Sequence, residues 1–303
     1  MNKFISKLTI IFALTSTLGL AGNSTTLAEV VPLPDGGKCQ GKISEGNLNG
    51  KVTCTYGNGD RYEGDFVNGK KQGQGVYLFA DGGRYQGGFN NNQFSGQGVR
   101  VYANGDRYEG EFNNGQANGK GVFITADGGR YQGTFSNGEP SGEGTFVYGN
   151  GDSCSGIVSN AQLNGQGKCT YKNGNSYQGE LVNGKPEGKG IYTFANGDRY
   201  QGQFSQGEFA GTGVFVEKNG NRYEGQFSDG KYNGTGTYIF ANGDRCEGEF
   251  SQGQLNGEAV CDYSSGDTYQ GQFKNGQKHG SGSYTFADGT KVEGSWVNNE
   301  YQE

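Results

Sequence analysis

Aromatic residues and glycines recur along this chain with a step of 23 residues. Residues 61–66 read RYEGDF, residues 84–89 read RYQGGF and residues 107–112 read RYEGEF. We number each copy from the tyrosine of this run, which is position zero. Position zero is occupied in turn by Cys39, Tyr62, Tyr85, Tyr108, Tyr131, Cys154, Tyr177, Tyr200, Tyr223, Cys246, Tyr269 and Val292. Glycine stands at +2 in all twelve copies and at +11 and +20 in all eleven complete ones, so the sequence predicts an uninterrupted repeat array over residues 39–303.

Apolar and polar residues alternate within each copy, and this alternation is the period of a β-strand. We predict strand one from about −1 to +5 and strand two from about +11 to +17, joined by the four-residue link Asn68–Lys71. In this hairpin position zero faces +15, as Tyr62 faces Tyr77, and position +4 faces +11. The link to the next copy, residues 80–82, must be odd in length, because otherwise every second copy would turn its side chains to the other face. A three-residue loop with its glycine in the left-handed conformation meets this condition.

The predicted fold is therefore all-β, an elongated single-layer antiparallel β-meander of repeated hairpins. About 23 strands, spaced by about 4.8 Å, give a length on the order of 110 Å. Arginine at −1 and Glu or Gln at +1 point to one face, where we expect cross-strand charge pairing.

The other face carries a row of aromatic residues from positions zero and +15. Exposed apolar strips mark interaction sites, so this row is the predicted binding surface. The row consists of Tyr62, Tyr77, Tyr85, Tyr108, Phe123, Tyr131, Phe146, Tyr177, Tyr192, Tyr200, Phe215, Tyr223, Tyr238, Tyr269 and Tyr284.

All six cysteines stand at position zero or +15, and both positions are cysteine in the same three copies. Because these positions face each other at roughly 4.5–5.5 Å, the register predicts one disulfide within each of the three hairpins. The predicted pairs are Cys39 with Cys54, Cys154 with Cys169, and Cys246 with Cys261.

Composition narrows the class of protein further. The 303 residues include 61 glycines but only 4 prolines, which excludes collagen, and 13% aromatic residues exclude a disordered glycine-rich linker. Helices are disfavoured, since each interior glycine costs about 1 kcal/mol relative to alanine. The net charge of −6 argues against nucleic acid as a partner and disfavours an anionic membrane surface.

The N-terminal segment has the pattern of a secretory signal peptide. Lys3 and Lys7 precede an apolar run from Leu8 to Leu20, and Thr26-Leu27-Ala28 supplies the small-residue cleavage site. We therefore divide the sequence into a signal peptide over residues 1–28, a leader over residues 29–38 and the repeat array over residues 39–303. The mature protein has a net charge of −8 and is expected to be secreted or periplasmic, where disulfides persist.

No arrangement of residues in the sequence predicts catalysis, a metal or a cofactor. The one histidine, His279, is expected in a solvated loop, and with all cysteines oxidised no Ser-His or Cys-His arrangement is available. Glu63, Glu109, Glu224 and Glu247 recur at one repeat position, which is typical of surface charges on a sheet.

The pattern Tyr-x-Gly-x-Phe followed by Gly-x-Gly, on a 23-residue period, resembles the MORN repeat. Residues 62–75 and 200–213 match this pattern well. The departures from it are cysteine at position zero in three copies, Val292 at position zero in the last, Val52 and Ala259 at +13, and Arg100 in the aromatic row. The resemblance implies an elongated β-meander that binds proteins, dimerises or lies against a membrane.

We therefore predict a non-enzymatic scaffold for protein–protein interaction or self-association, in the cell envelope or outside the cell. The expected partner is a protein, with a second copy of this chain as one form of it. The alternative prediction is a module that binds cell-wall glycans or phospholipid membranes.

Overall fold

A computed structural model describes residues 28–302 of the protein. Within this range 25 strands form one open antiparallel sheet, in which each strand pairs with its neighbours in sequence. The strands are β1 Glu29–Pro32, β2 Lys38–Ser44, β3 Asn47–Thr55, β4 Arg61–Val67, β5 Lys70–Leu78, β6 Arg84–Asn90, β7 Gln93–Val101, β8 Arg107–Asn113, β9 Gln116–Ile124, β10 Arg130–Ser136, β11 Glu139–Val147, β12 Ser153–Ser159, β13 Gln162–Thr170, β14 Ser176–Val182, β15 Lys185–Thr193, β16 Arg199–Ser205, β17 Glu208–Val216, β18 Arg222–Ser228, β19 Lys231–Ile239, β20 Arg245–Ser251, β21 Gln254–Asp262, β22 Thr268–Lys274, β23 Gln277–Thr285, β24 Lys291–Val297 and β25 Glu300–Gln302.

The predicted β-meander is confirmed. The leader over residues 29–38 contributes β1, and β25 follows the last predicted strand, so the sheet has two strands more than the expected 23. The predicted signal peptide lies outside the described residues except for Ala28. No helix that is long and apolar enough to cross a membrane occurs in residues 28–302.

The hairpin within each copy has a tighter turn than predicted. Asn68 and Gly69 have φ values of 51° and 75°, and these two left-handed residues form the turn between β4 and β5. Strand two therefore begins at +8, and Phe66 faces Lys71. The predicted four-residue link, and with it the pairing of +4 with +11 inside the hairpin, was wrong because the Asn-Gly pair closes a turn of two residues by itself.

The two residues that the turn does not use form a bulge in strand two. Residues 72–74 lie opposite Asp65 alone, and Gly73 at their centre has φ 68°. A shift of two residues leaves side-chain alternation unchanged. Position zero consequently still faces +15, as in the pair Tyr62–Tyr77, and this part of the prediction is confirmed.

The loop between copies has the predicted length. The Phe79 N–H donates to the Gly83 carbonyl at 2.9 Å, and the Gly82 N–H donates to the Phe79 carbonyl at 3.0 Å, which closes a loop of residues 80–82. Gly82 has φ 93°, as a left-handed glycine should. Tyr77 then faces Tyr85 of the next copy, so a given repeat position points to the same face of the sheet in every copy.

Where position +21 is an aspartate, its carboxylate joins one of these loops to the next. Asp60 Oδ1 accepts the N–H of Ala80, which lies in the next loop, at 2.8 Å. In the same way Asp198 Oδ1 accepts the N–H of Lys218 at 2.8 Å. These carboxylates act as hydrogen-bond acceptors for backbone groups, which explains their recurrence without invoking ion pairs.

Charge pairing between positions −1 and +1 on the polar face runs along strands, and one pair in the described residues, Lys51 with Asp65 at 2.8 Å, lies across two strands. Arg107 lies 2.6 Å from Glu109 and Arg222 lies 2.7 Å from Glu224, in each case two residues apart on one strand. The expected cross-strand pairing of these columns is thus replaced by pairing between −1 and +1. All four side chains are exposed, so each pair contributes at most about 0.5 kcal/mol.

Three disulfides close three hairpins, with the pairing that the repeat register predicted. They join Cys39 to Cys54, Cys154 to Cys169, and Cys246 to Cys261, each across a sequence separation of 15 residues. A closed loop of this size stabilises a fold by about 3 kcal/mol in the chain-entropy model.

Candidate interaction surface

The core of the sheet is a layer of tyrosines at position zero on one face. Tyr85 and Tyr200 have no exposed surface, and the Tyr85 hydroxyl donates to the Gly88 carbonyl at 2.8 Å. The ring lies flat against the backbone: a Cβ added to Gly98, at +13, would be 2.5 Å from the Tyr85 Oη. Burial raises the pKa of both Tyr85 and Tyr200 to about 12. These tyrosines are structural, and their rings are not accessible to a partner.

Residues at +9 form a second layer over these rings. Phe94 stacks on Tyr85 with ring centres 3.8 Å apart, and Phe209 stacks on Tyr200 at 3.9 Å. This contact exists only because the two-residue turn brings +9 opposite +4, on the aromatic face. The sequence prediction missed it, since a four-residue link would have placed +9 within the turn.

Aromatic residues at +15 and +17 form the outer, partly exposed part of this face. In the copies where both positions are aromatic the two rings pack against each other, for example Tyr77 with Phe79 at 4.7 Å and Tyr238 with Phe240 at 4.7 Å. We call the aromatic side chains at +15 and +17, together with Arg100 at +15, the aromatic strip. Its most exposed members stand at +17, where Phe240 is 42% exposed.

The structure divides the predicted row between these layers. The members at position zero are buried: Tyr62, Tyr85, Tyr108, Tyr131, Tyr177, Tyr200, Tyr223 and Tyr269. The members at +15 are half-buried and belong to the aromatic strip: Tyr77, Phe123, Phe146, Tyr192, Phe215, Tyr238 and Tyr284. Only the second group has surface that a partner can contact.

The sequence prediction missed the +17 column. An aromatic residue stands at +17 in nine of eleven copies, and this frequency was a usable signal. The exposed members of the column are Tyr102, Tyr148, Phe240 and Phe286. The sequence prediction ends strand two at +17, whereas in the structure the N–H of the +17 residue closes the loop and the +17 side chain stays on the aromatic face.

Three cations lie among these rings. The Lys71 Nζ is 5.0 Å from the ring centres of Tyr56 and Tyr77, and the Lys278 Nζ contacts the rings of the equivalent copy near the other end of the array. The Arg100 guanidinium carbon is 4.0 Å from the ring centre of Phe79. Such contacts are worth about 0.5–2 kcal/mol each. Burial lowers the pKa of Lys71.

Residues 28–302 contain no group of three or more His, Cys, Asp or Glu side chains that could hold a metal ion. His279 lies half-buried in β23 and not in the predicted solvated loop. The arrangement on the aromatic face therefore offers stacking, apolar contact and isolated positive charges, which are means of binding.

An array of near-identical hairpins with one aromatic face defines a repeat protein of the β-meander class. The family model of the MORN repeat matches ten consecutive 23-residue segments, which together cover residues 62–291. The chain belongs to the MORN-repeat family. The copies that begin at Cys39 and Val292 lie outside the matched segments but keep the same register, with Cys39 facing Cys54 and Val292 facing Tyr284. MORN repeats are in general modules for interaction with proteins or membranes, and the family is in general not enzymatic.

Comparison with curated proteins gives no match. Among solved structures, the TCP domain of Drosophila melanogaster SAS-4 (dCPAP), in complex with a proline-rich motif of Ana2, is 12% identical; the match covers 61% of this protein and 96% of that domain, with a TM-score of 0.33. The TCP10 domain of Danio rerio CPAP, in complex with a STIL peptide, is 12% identical, with 89% and 99% covered and a TM-score of 0.23. Virginiamycin B lyase from Staphylococcus aureus is 9% identical, with 88% and 83% covered and a TM-score of 0.15. All three TM-scores are below 0.5, so these structures bear on neither the partner nor the chemistry of this protein.

Proposed function

We propose that this protein is a non-enzymatic scaffold that binds protein partners, a second copy of itself included, in the cell envelope or outside the cell. The aromatic strip is the observation that carries the proposal. It runs along one face of an open sheet, and within residues 28–302 no second layer of the protein covers it. Partly exposed aromatic surface of this extent is typical of protein interaction sites.

The cysteines support the proposed location. All six are paired in disulfides, which are typical of an oxidising extracellular environment. The signal-peptide pattern in residues 1–28 agrees with it. N-terminal sequencing of the protein from its native compartment should give Glu29 as the first residue, and a protein that retains residues 1–28 and free thiols would contradict this location.

A photo-crosslinking amino acid at position 240 tests the partner. Phe240 is 42% exposed on the aromatic strip, whereas Val260 is 37% exposed on the polar face and serves as the matched control position. In the native compartment we expect protein adducts from position 240 and few from position 260. Equal adducts from both positions, or none from either, would overturn the proposal.

Self-association is tested by sedimentation of the purified mature protein. We expect a concentration-dependent dimer that weakens in a Phe240→Ser/Phe286→Ser variant and persists in Val260→Ser. A partner that is a different protein would leave the scaffold monomeric in this experiment while the crosslinks from position 240 remain.

Binding of wall polysaccharide is the second candidate function. Tyr171 and Tyr192 lie with ring centres 5.9 Å apart at 31°, and the residue at +9 beside them is Pro186 instead of a lysine. Two half-exposed rings in this arrangement form a platform on which a sugar ring can stack. Retention on purified wall polysaccharide that is lost in Tyr192→Ser would favour this candidate over the protein scaffold, and flotation with vesicles would favour a membrane surface.

A further inference from the structure

Two of the three cations on the aromatic face have an acid of the same protein close by. The Lys71 Nζ lies 5.0 Å from the ring of Tyr77, whose hydroxyl donates to Asp60 Oδ2 at 2.6 Å. Lys278 repeats this arrangement, 4.5 Å from a tyrosine ring whose hydroxyl donates to Asp267 at 2.8 Å. Both acids stand at +21 of the preceding copy. The positive charge of each lysine is therefore compensated within the protein.

Arg100 lacks this compensation. The position equivalent to Asp60 is Gly83 in the preceding copy, and no carboxylate of residues 28–302 lies within salt-bridge distance of Arg100. The nearby loop residue Asp81 accepts the Gly83 N–H at 2.7 Å. The Nε of Arg100 is buried and has no hydrogen-bond partner. Neither lysine forms a salt bridge, so the three cations differ in the residue at +21 of the preceding copy: this residue is an aspartate for Lys71 and Lys278 and a glycine for Arg100.

The rings around Arg100 fix its orientation. Its guanidinium carbon is 4.0 Å from the ring centre of Phe79 and 4.9 Å from that of Tyr102, and both rings belong to the +17 column. A planar guanidinium held between aromatic rings is pre-organised for a carboxylate, which it binds through two parallel hydrogen bonds. Tyr102 is 36% exposed, so the site opens to solvent along the aromatic strip.

We propose that Arg100 binds a carboxylate of a protein partner, presented by an extended segment that lies along the aromatic strip. The carboxylate is that of an Asp or Glu side chain or of the partner's own C-terminus. The proposal rests on the proposed scaffold function, because it names the partner chemistry at the same surface. Charge complementarity favours a peptide over an anionic bilayer: the protein has a net charge of −6, so a broad anionic surface is repelled while a single carboxylate at Arg100 is not.

Selection of peptides from a phage-displayed random library on the purified protein tests this site. Arg100→Tyr is the decisive variant, because Tyr77 and Tyr192 show that tyrosine fits the same repeat position. Lys120→Gln is the matched control, since Lys120 is exposed on the polar face and Gln97 stands at the equivalent position. We expect selected peptides to share one acidic residue or a free C-terminus, to bind Arg100→Tyr at least tenfold more weakly and to bind Lys120→Gln unchanged. Replacement of the acid in the peptide by its amide should have the same effect as Arg100→Tyr.

Each other outcome overturns the proposal in a recognisable way. Peptides without a shared carboxylate, or with equal affinity for Arg100→Tyr, would remove the Arg100 site and leave the scaffold function standing. Flotation with phosphatidylserine vesicles that is lost in Arg100→Tyr would assign the site to a membrane. Failure to select any peptide, together with an absence of crosslinks from position 240, would remove both proposals. A thermal melt of Arg100→Tyr serves as the folding control, and its midpoint should equal or exceed that of the natural protein.

Discussion

The copies with tyrosine at position zero and the copies with a disulfide at that position fill the same space above the sheet in two different ways. In the copy that begins at Tyr200, the ring lies against Gly213, and a Cβ there would be 2.6 Å from the ring. In the copy that begins at Cys246, the disulfide replaces the ring, and the position equivalent to Gly213 is Ala259. Val52 takes this position in the first disulfide copy. Glycine at +13 is therefore required by the tyrosine above it and not by the backbone.

The residue at +9 also differs between the disulfide copies and the tyrosine copies. All three disulfide copies have leucine there, namely Leu48, Leu163 and Leu255, and each leucine is buried. The tyrosine copies accept Lys, Phe, Ala, Pro or Tyr at +9. A disulfide fills less space than a tyrosine ring, so an aliphatic side chain must cover the remaining backbone. Val52 and Ala259, which depart from the family pattern, thus fill space that a tyrosine ring occupies in the other copies.

The largest expected difference between the two kinds of copy appears at alkaline pH. In an unfolded protein tyrosine ionises near pH 10, whereas burial holds the pKa of Tyr200 and Tyr223 at about 12 in the folded sheet. The stability that the neutral rings contribute is therefore complete below pH 10 and is lost as the pH rises from 10 through 12. We expect cooperative loss of strand signal in this range, accompanied by tyrosinate absorbance.

Replacement of a buried tyrosine isolates this effect. Tyr200→Phe should shift the alkaline midpoint upward, although at neutral pH it removes the hydrogen bond to the Gln203 carbonyl, worth about 1 kcal/mol. Tyr102→Phe, on the exposed +17 column, should leave the midpoint in place. Identical alkaline midpoints for all three proteins would show that tyrosine burial does not control the transition.

A second test adds a side chain at +13 in both kinds of copy. Gly213→Val should destabilise the array by about 3 kcal/mol, because the new side chain meets the Tyr200 ring. Ala259→Val should change stability little, since Val52 stands at the equivalent position. Chemical denaturation with hydrogen exchange across β17 and β21 measures both, and equal losses in the two variants would contradict the comparison.

A third test converts a disulfide copy into a tyrosine copy. Cys246→Tyr with Cys261→Tyr should fold poorly alone, because Ala259 occupies the space that the new ring needs. Addition of Ala259→Gly should recover about 1–3 kcal/mol. A variant pair with the same denaturation midpoint would mean that the ring finds another position.

The smallest effect is expected on the polar face, which lies on the opposite side of the sheet from both the tyrosines and the disulfides. Glu109→Gln removes the exposed pair with Arg107 and should cost less than about 0.5 kcal/mol. Gln86 and Gln132 already stand at this repeat position. A loss above about 1 kcal/mol would require a role for this pair that the geometry does not provide.

The repeat phase made much of this fold predictable. A strict 23-residue step placed Cys39 opposite Cys54 and Tyr62 opposite Tyr77, because one register satisfies all copies at once. The turn was less predictable, because two different connections give the same register in the rest of the hairpin. One is an Asn-Gly turn followed by a two-residue bulge, and the other is a four-residue link. They differ only near the turn, where the two-residue turn places Phe66 opposite Lys71 and brings +9 onto the aromatic face.

Burial on the aromatic face could not be deduced from the pattern alone. The alternation of apolar and polar residues shows on which face of the sheet a side chain lies. It does not show which of two side chains on the same face packs against the backbone and which one covers it. Tyr85 is buried because Phe94 folds over it, and this depends on the local turn. The +17 column was visible as a frequency, and Arg100 as a single departure, but the rings that hold its guanidinium appear only in three dimensions.

The three-residue loop between copies also determines how such a protein can change over evolutionary time. Because each loop returns the next copy to the same face and register, duplication or deletion of 23 residues adds or removes one complete unit without disturbing its neighbours. Each unit contributes two strands, or about 9.6 Å of length. Gene duplication can therefore change the distance between the two ends of the array in equal steps.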